Sequence, residues 1–215
     1  MQKQYILFDL DGTITDPAIG ITNSVMYALN KFGINVDDRK ELYKFIGPSL
    51  WESFQNYYGF SKEEADKAVK YYREYFKDKG IFENFVYEGM QDLLEFLKTR
   101  DKILIVATSK PAVFANRILE HFGLIKCFDF VAGSEFDGTR INKDEVIAYA
   151  LEKCEINDLS EAVMIGDRKY DIIGAKNAGI DSIGVLYGYG SLEELKAAGA
   201  DHVAKDINEL TKLLC

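Results

Sequence analysis

Two carboxylates two positions apart, Asp9 and Asp11, close the apolar run Tyr5-Ile6-Leu7-Phe8 and are followed by Gly12 and Thr13. A short unbroken run rich in β-branched and aromatic residues is the pattern of a strand buried on both faces. Acids at its tip stand at the edge of an apolar core, where an unpaired charge is costly, so a bound cation or a reacting group is a reason to keep them there. In an open parallel sheet, ligands bind outside the carboxyl ends of the strands, which is where this pair falls. Two plainer readings compete. A helix-loop-helix calcium site fails on spacing: it wants an acid or Asn at the fifth position and Gly at the sixth, whereas Gly12 is fourth and Thr13 fifth. An acidic turn, with Asp side chains accepting from nearby N–H groups, stays open on this segment alone.

Three further clusters could join the pair. Thr108-Ser109-Lys110 follows the apolar run Ile103-Leu104-Ile105-Val106, with hydroxyls and N–H groups that would face the same sheet edge; Ser and Thr after a strand also serve as helix caps. Lys143, in Arg140-Ile141-Asn142-Lys143, precedes a helical pattern and reads equally as a solvated lysine. Gly166-Asp167 again ends an apolar run in an acid, and Asp171 lies one helical turn beyond, so the two acids can share an edge or merely favour a helix N-terminus.

The elements that must position these residues fall into two kinds. From about residue 20 to 80 no strand is evident. Ile21, Val25, Ala28, Leu29 and Phe32 recur at helical spacing, a second helix is expected over Asp38–Phe45, Ser49 stands to cap a third, and Ser61 with Glu64 forms a capping box for a fourth. From residue 100 onward strands and helices alternate, with strands expected over Lys102–Ala107, Phe128–Ala132, Ala162–Ile165 and Ser182–Leu186. Such alternation predicts an α/β fold, a Rossmann-like doubly wound, mostly parallel sheet with helices on both faces. The all-helical stretch is then an inserted domain, 17–81, within a core formed by 1–16 and 82–215.

At 215 residues and 47% hydrophobic content the chain is globular, and no stretch reaches the roughly 18 to 20 apolar residues of a membrane span. The apolar run starting almost at Met1 leaves no room for a secretory leader, and Cys127, Cys154 and Cys215 are far apart and outside any C-x-x-C pattern, so reduced thiols and a cytoplasmic location are expected. A net charge of −9 argues against a nucleic acid polymer as partner, though local lysines can still receive a small anion.

In order and spacing, Asp9-Leu10-Asp11-Gly12-Thr13, Thr108, Lys143 and Gly166-Asp167-x-x-x-Asp171 resemble the four motifs of the haloacid dehalogenase superfamily, and the helical insertion is similar to that family's C1 cap. The segment from Tyr187-Gly188-Tyr189-Gly190 through Glu193-Glu194-Leu195 to Ala198-Gly199-Ala200-Asp201 resembles the phosphoglycolate phosphatase and 5′-nucleotidase branch. The resemblance implies a phosphatase acting on a small phosphate ester, with Asp9 as nucleophile and Asp11 as the acid and base that serves the leaving oxygen and the attacking water. It implies Mg²⁺ bound by Asp9, the Asp11 backbone carbonyl and Asp167, with Asp171 acting through a water. Thr108 and the N–H groups of Ser109 and Gly12 would hold phosphoryl oxygens, and Lys143 would supply fixed positive charge. Asp11 argues against dehalogenation, which has no leaving oxygen to protonate.

A phosphomutase of the β-phosphoglucomutase kind shares these core residues. A non-catalytic phospho-Asp regulator would share the acids, Thr and Lys but is expected at half this length. For a second anionic group of the substrate, Lys44, Arg73 and Lys110 are candidates; for stacking on a base, Phe45, Trp51, Tyr57 and Tyr58. Cap core and solvated charge are the plainer readings of these, and a monomer or a homodimer is equally compatible.

Overall fold

The apolar run that carries the acidic pair forms the strand β1 (Tyr5–Phe8) at the centre of a six-stranded sheet. The structure, a computed structural model, describes residues 2–215. After β1, the short β2 (Thr15–Asp16) leads to the helices α1 (Ala18–Asn30), α2 (Leu50–Tyr58) and α3 (Lys62–Phe76), and β3 (Phe85–Val86) leads back. The chain then alternates: α4 (Met90–Lys98), β4 (Ile103–Pro111), α5 (Ala112–His121), β5 (Phe130–Ser134), α6 (Lys143–Lys153), β6 (Ala162–Gly166), α7 (Lys169–Ala178), β7 (Asp181–Val185), α8 (Leu192–Ala198), β8 (His202–Ala204) and α9 (Ile207–Leu214).

The strand order is β5-β4-β1-β6-β7-β8, and every pairing in this sheet is parallel. All strands therefore end at one edge. Tyr5 stands opposite Ile103 and Ala162, and Phe8 opposite Val106 and Ile165, which puts β1 between two strands it must pair with on both sides. Strands β4 and β5 run outward on one side of β1 and β6 to β8 on the other, so β1 marks the topological switch point.

Burial explains why β1 holds still. Ile6, Leu7 and Phe8 are fully buried, each contributing roughly 1.5–3 kcal/mol of transfer free energy. Leu7 joins Ile105, Ala107 and Met164 under Val146, Ile147 and Ala150 of α6 and Ala175 of α7, while Ile6 and Phe8 alternate to the opposite face. Helices on both faces are what two-sided burial of a parallel strand requires.

By contact density the chain forms two units, one running to Asp16 and resuming at Val86, the other Pro17–Phe85. Within the second, Val25, Ala28, Leu29, Leu42, Phe54, Ala68 and Val69 build a core of their own. The capping box of α3 is present, Ser61 Oγ accepting from the Glu64 N–H at 3.2 Å and Glu64 Oε2 from the Ser61 N–H at 2.9 Å.

The expected second helix is instead a 3₁₀ segment over Arg39–Phe45, with Asp38 accepting from the Lys40 N–H at 2.9 Å and Gly47-Pro48 leaving it no room to lengthen. Ser49 stands at the N-cap of α2 but its side chain makes no capping bond. Strand β5 begins two residues later than expected, because Ile125–Cys127 takes a 3₁₀ turn first, and β4 continues to Pro111.

Candidate active site

Asp9 follows β1 directly and stays in the ladder, its N–H donating to the Ile165 carbonyl at 2.9 Å. The parallel edge gathers the other residues singled out in the sequence: Thr108, Ser109 and Lys110 at the end of β4, Asp167 after β6 and Asp171 in the first turn of α7. Asp9, Asp167 and Asp171 are buried, and one oxygen from each lies within 4.8 Å of the others.

Lys143 is the hub of this cluster. As the first residue of α6 it is buried rather than solvated, and its ammonium lies 2.8 Å from Asp9 Oδ1, 2.8 Å from Asp171 Oδ1 and 3.0 Å from the Ala107 carbonyl. Burial works against its charge, but Asp171 and Asp9 together outweigh that and push its pKa up. For Asp171, burial outweighs Lys143 and the carboxyl is pushed up to about 6. Asp167 is driven well above the usual carboxylate range by burial, with Asp171 and Asp9 adding repulsion. Asp171 Oδ2 also accepts from the Arg168 N–H at 3.1 Å, so this acid serves the start of α7 as well as the cluster.

Asp11 faces a different cation. Lys110, which sequence reasoning offered to a substrate anion, places its ammonium 2.8 Å from one Asp11 oxygen and 2.7 Å from the other, with both side chains largely buried. Burial still raises the Asp11 pKa, against the pull of Lys110. Thr108 is buried, and its hydroxyl accepts from the Lys110 N–H at 3.3 Å, which leaves its own hydrogen to donate. Ser109 is half-buried, its carbonyl fixed by Ser134 Oγ at 2.8 Å.

Gly12 departs from expectation. Its N–H, proposed for a phosphoryl oxygen, donates to the Thr15 carbonyl at 2.7 Å because residues 10–15 close into a tight turn, with Gly12 at φ 83°. As glycine it allows both the turn and the close approach of Asp167, whose Oδ2 would lie 2.3 Å from a Cβ placed there.

The Tyr187–Gly190 segment, read from the sequence only as a mark of the family branch, contacts the site itself. Between β7 and α8, the Tyr189 N–H donates to Asp167 Oδ2 at 2.7 Å, the Tyr187 hydroxyl donates to the Thr13 carbonyl at 3.1 Å, and the Tyr189 hydroxyl bonds Asp16. Tyr87 packs edge-on against Tyr187, ring centroids 4.9 Å apart. Of the remaining tail residues, Glu194 accepts from Arg168 Nε and the Lys169 N–H, each at 2.9 Å, just after Asp167, whereas Asp201 accepts from the Ser182 N–H and hydroxyl at the start of β7, away from this edge. The Tyr-Gly-Tyr-Gly pattern was the available signal.

The donor set fits a hard divalent cation. Asp167 Oδ1 is buried with no hydrogen-bond partner among the described residues, while the Oδ1 atoms of Asp9 and Asp171 meet only the Lys143 ammonium. Oxygen-only, carboxylate-rich groups of this kind suit Mg²⁺. Three buried acids with one lysine leave negative charge that a cation would offset.

This crowding predicts a pH dependence. A carboxyl whose folded pKa is raised above the unfolded value, near 3.9, binds its proton more tightly when folded. That stabilisation is present below the unfolded pKa and is lost as pH rises through about 6, where Asp171 ionises. The metal-free protein is therefore expected to lose a few degrees of Tm between about pH 4 and pH 7, at roughly 2–4 °C per kcal/mol for a chain of this size. Cation affinity should rise over the same window, since the ligands must be deprotonated. A Tm and an Mn²⁺ affinity both flat across that range would contradict it.

Fold and site together define the class: residues 6–185 match the haloacid dehalogenase-like hydrolase family, and the chain belongs to it. Among its relatives, the 5′-nucleotidase of Pseudomonas aeruginosa is 46% identical over 97% of this chain and 94% of its own length. The tyrosine-protein kinase PtkA of Mycobacterium tuberculosis is 38% identical over 98% of this chain and 72% of its own. The crystal structure of a predicted phosphatase from Clostridium acetobutylicum matches with TM-score 0.97 at 53% identity, covering 100% of this chain and 99% of that one. Among the described residues, no helix is long and apolar enough to cross a membrane.

Proposed function

We propose that this hydrolase is a Mg²⁺-dependent phosphatase that releases phosphate from a small organic monoester, phosphoglycolate-like or a nucleoside 5′-monophosphate, through an aspartyl phosphate on Asp9. The observation that carries the reading is the Asp9 carboxylate, held at the tip of the central strand by Lys143 at 2.8 Å and grouped with Asp167 and Asp171. The 46% identity to a 5′-nucleotidase supports the substrate class. Residues 17–81 are read as the family's C1 cap.

Asp9 attacks phosphorus in line; the Asp9–phosphorus bond forms as the bond to the leaving oxygen breaks, and Asp11 gives that oxygen its proton. Water then attacks the phosphoryl group, Asp11 takes a proton from it, and Asp9 is released. The raised Asp11 pKa supports the first step, which needs the carboxyl protonated. Thr108, with its hydroxyl hydrogen free to donate, and the Ser109 N–H hold phosphoryl oxygens as preorganised dipoles, and the Lys143 charge beside Asp9 is present before substrate arrives. Asp9, Asp167 and the Asp11 carbonyl would hold the cation, with Asp171 through a water because its oxygens already serve Lys143 and Arg168. When bound, Mg²⁺ offsets the repulsion between Asp9 and the phosphate dianion.

The test is a substrate panel of phosphoglycolate, nucleoside 5′-monophosphates, sugar phosphates and phosphotyrosine, with and without Mg²⁺, run beside Asp11→Asn. Release from one of the first two classes that requires Mg²⁺ is expected. Asp11→Asn should lose about 10²–10⁴-fold on an alkyl phosphate and much less on p-nitrophenyl phosphate, whose leaving group needs little protonation. Equal losses on both would remove Asp11 as the acid that protonates the leaving oxygen, and metal-independent release would sink the cation's part.

A further inference from the structure

We infer that the Tyr187–Gly190 loop is a positioning device for Asp167, setting which of its oxygens faces the cation; this rests on the proposed cation site. Asp167 directly follows β6, its Oδ1 buried with no hydrogen-bond partner among the described residues, while Oδ2 accepts the Tyr189 N–H at 2.7 Å. One oxygen is thus tied to the backbone and the other is left for a ligand. A carboxylate bonded through one oxygen cannot swing that oxygen into the site, so its rotamer and its denticity are set by the loop.

Glycine makes the approach possible. A Cβ on Gly188 would fall 2.5 Å from Asp167 Oδ2 and closer still to the Asp167 Cβ and the Gly12 carbonyl oxygen. A Cβ on Gly190 would collide with the Asp167 carbonyl. The Tyr189 N–H can therefore reach Asp167 only if the loop lies directly upon it, and any side chain at Gly188 lifts it off.

The two tyrosines hold the loop down from the other side. Tyr187 bonds the Thr13 carbonyl and Tyr189 bonds Asp16, on either side of β2's first residue, so the loop is tied to the segment that follows Asp11. Burial raises the Tyr187 pKa far above its usual value, so this hydroxyl keeps its proton and stays a donor. The loop's hydrogen bond to Asp167 comes from a backbone N–H and its two tyrosine hydroxyls bond Thr13 and Asp16, so it acts through Asp167.

The experiment is direct Mn²⁺ binding to the full chain, followed by the electron paramagnetic resonance signal of free Mn²⁺, for the parent, Gly188→Ala, the Tyr187→Phe/Tyr189→Phe pair and Asp167→Asn, with metal-free Tm recorded for each. Gly188→Ala is expected to weaken Mn²⁺ about tenfold to a hundredfold, the range typical of removing an outer-shell support. The paired Phe variant keeps both rings and should weaken it by severalfold. A support that is merely structural would lower Tm and leave Mn²⁺ affinity of the folded protein unchanged, and Gly188→Ala within twofold of the parent overturns the inference. Should Gly188→Ala fail to fold, the Phe pair decides alone, with affinity within twofold of the parent overturning it. Unchanged affinity in Asp167→Asn would instead overturn the cation site itself.

Discussion

Asp9→Asn is expected to abolish phosphate release, by on the order of 10⁴ to 10⁶, the scale of losing a covalent nucleophile. The substitution keeps the shape of the side chain but removes the oxygen nucleophile that would form the acyl phosphate. It should cost little stability. The substitution loses one charge partner of Lys143, which keeps Asp171 at 2.8 Å, and it relieves the repulsion that Asp9 exerts on Asp167, so the two effects oppose each other and the metal-free Tm should stay within a few degrees. Loss of activity with so little change in Tm separates a chemical role from a structural one. Acid-quenched parent protein should carry one phosphoryl group's mass on the peptide containing Asp9, and the variant none. Activity in Asp9→Asn within tenfold of the parent would remove Asp9 as the nucleophile.

How much of this was legible in the sequence follows from how local each signal is. The acids Asp9 and Asp167 could be placed because each ends a strand buried on both faces, and such strands announce themselves as short apolar runs. Asp171 followed from helical spacing, and the alternation of strands with helices implied the parallel edge that collects them. Lys143 had no local mark, since a buried lysine and a solvated one look the same until its partners are known. The ion pair of Lys110 with Asp11 spans 99 positions, and the Tyr187 and Tyr189 bonds span 174 and 173. Contacts that distant leave no periodicity to read.

Composition was equally mute within the helical unit. Phe45 is buried and packs edge-on against Phe54 at 5.1 Å, and Trp51 donates to Asp66 while Arg73 lies over its ring. Lys44 lies over Tyr57, ring centroid 4.6 Å from its ammonium. Phe45 fits the plainer reading of cap core and Lys44 is exposed, whereas Tyr57 is also exposed and Arg73 is half-buried over the Trp51 ring. The Gly12 N–H shows the opposite failure. A motif position names a residue but not which of its polar groups the local turn has already used.

Lys143→Met has the second large effect, and it is expected in both activity and stability. Methionine preserves most of the volume while removing the one ammonium that lies 2.8 Å from both Asp9 and Asp171. Breaking a buried ion pair by deleting one partner costs about 3–5 kcal/mol, because the other is left charged in a poor solvent. At 2–4 °C per kcal/mol for a chain of this length, that is a Tm loss of roughly 6–20 °C. Protonation offers an escape: Asp171, already pushed up to about 6 with the lysine in place, titrates higher still without it. The loss should therefore be smaller near pH 5 and larger near pH 7.5, as expected when the unpaired carboxyls must be ionised. Saturating Mg²⁺ should return part of the Tm at the higher pH, since a ligand that binds the folded state stabilises it by mass action. Phosphate release should not recover with it, because Lys143 places a charge beside Asp9 on the side of the Ala107 carbonyl that the acids alone cannot supply. A variant with the parent's Tm and pH profile would mean that the buried acids are neutral at rest and that Lys143 is a spectator to them.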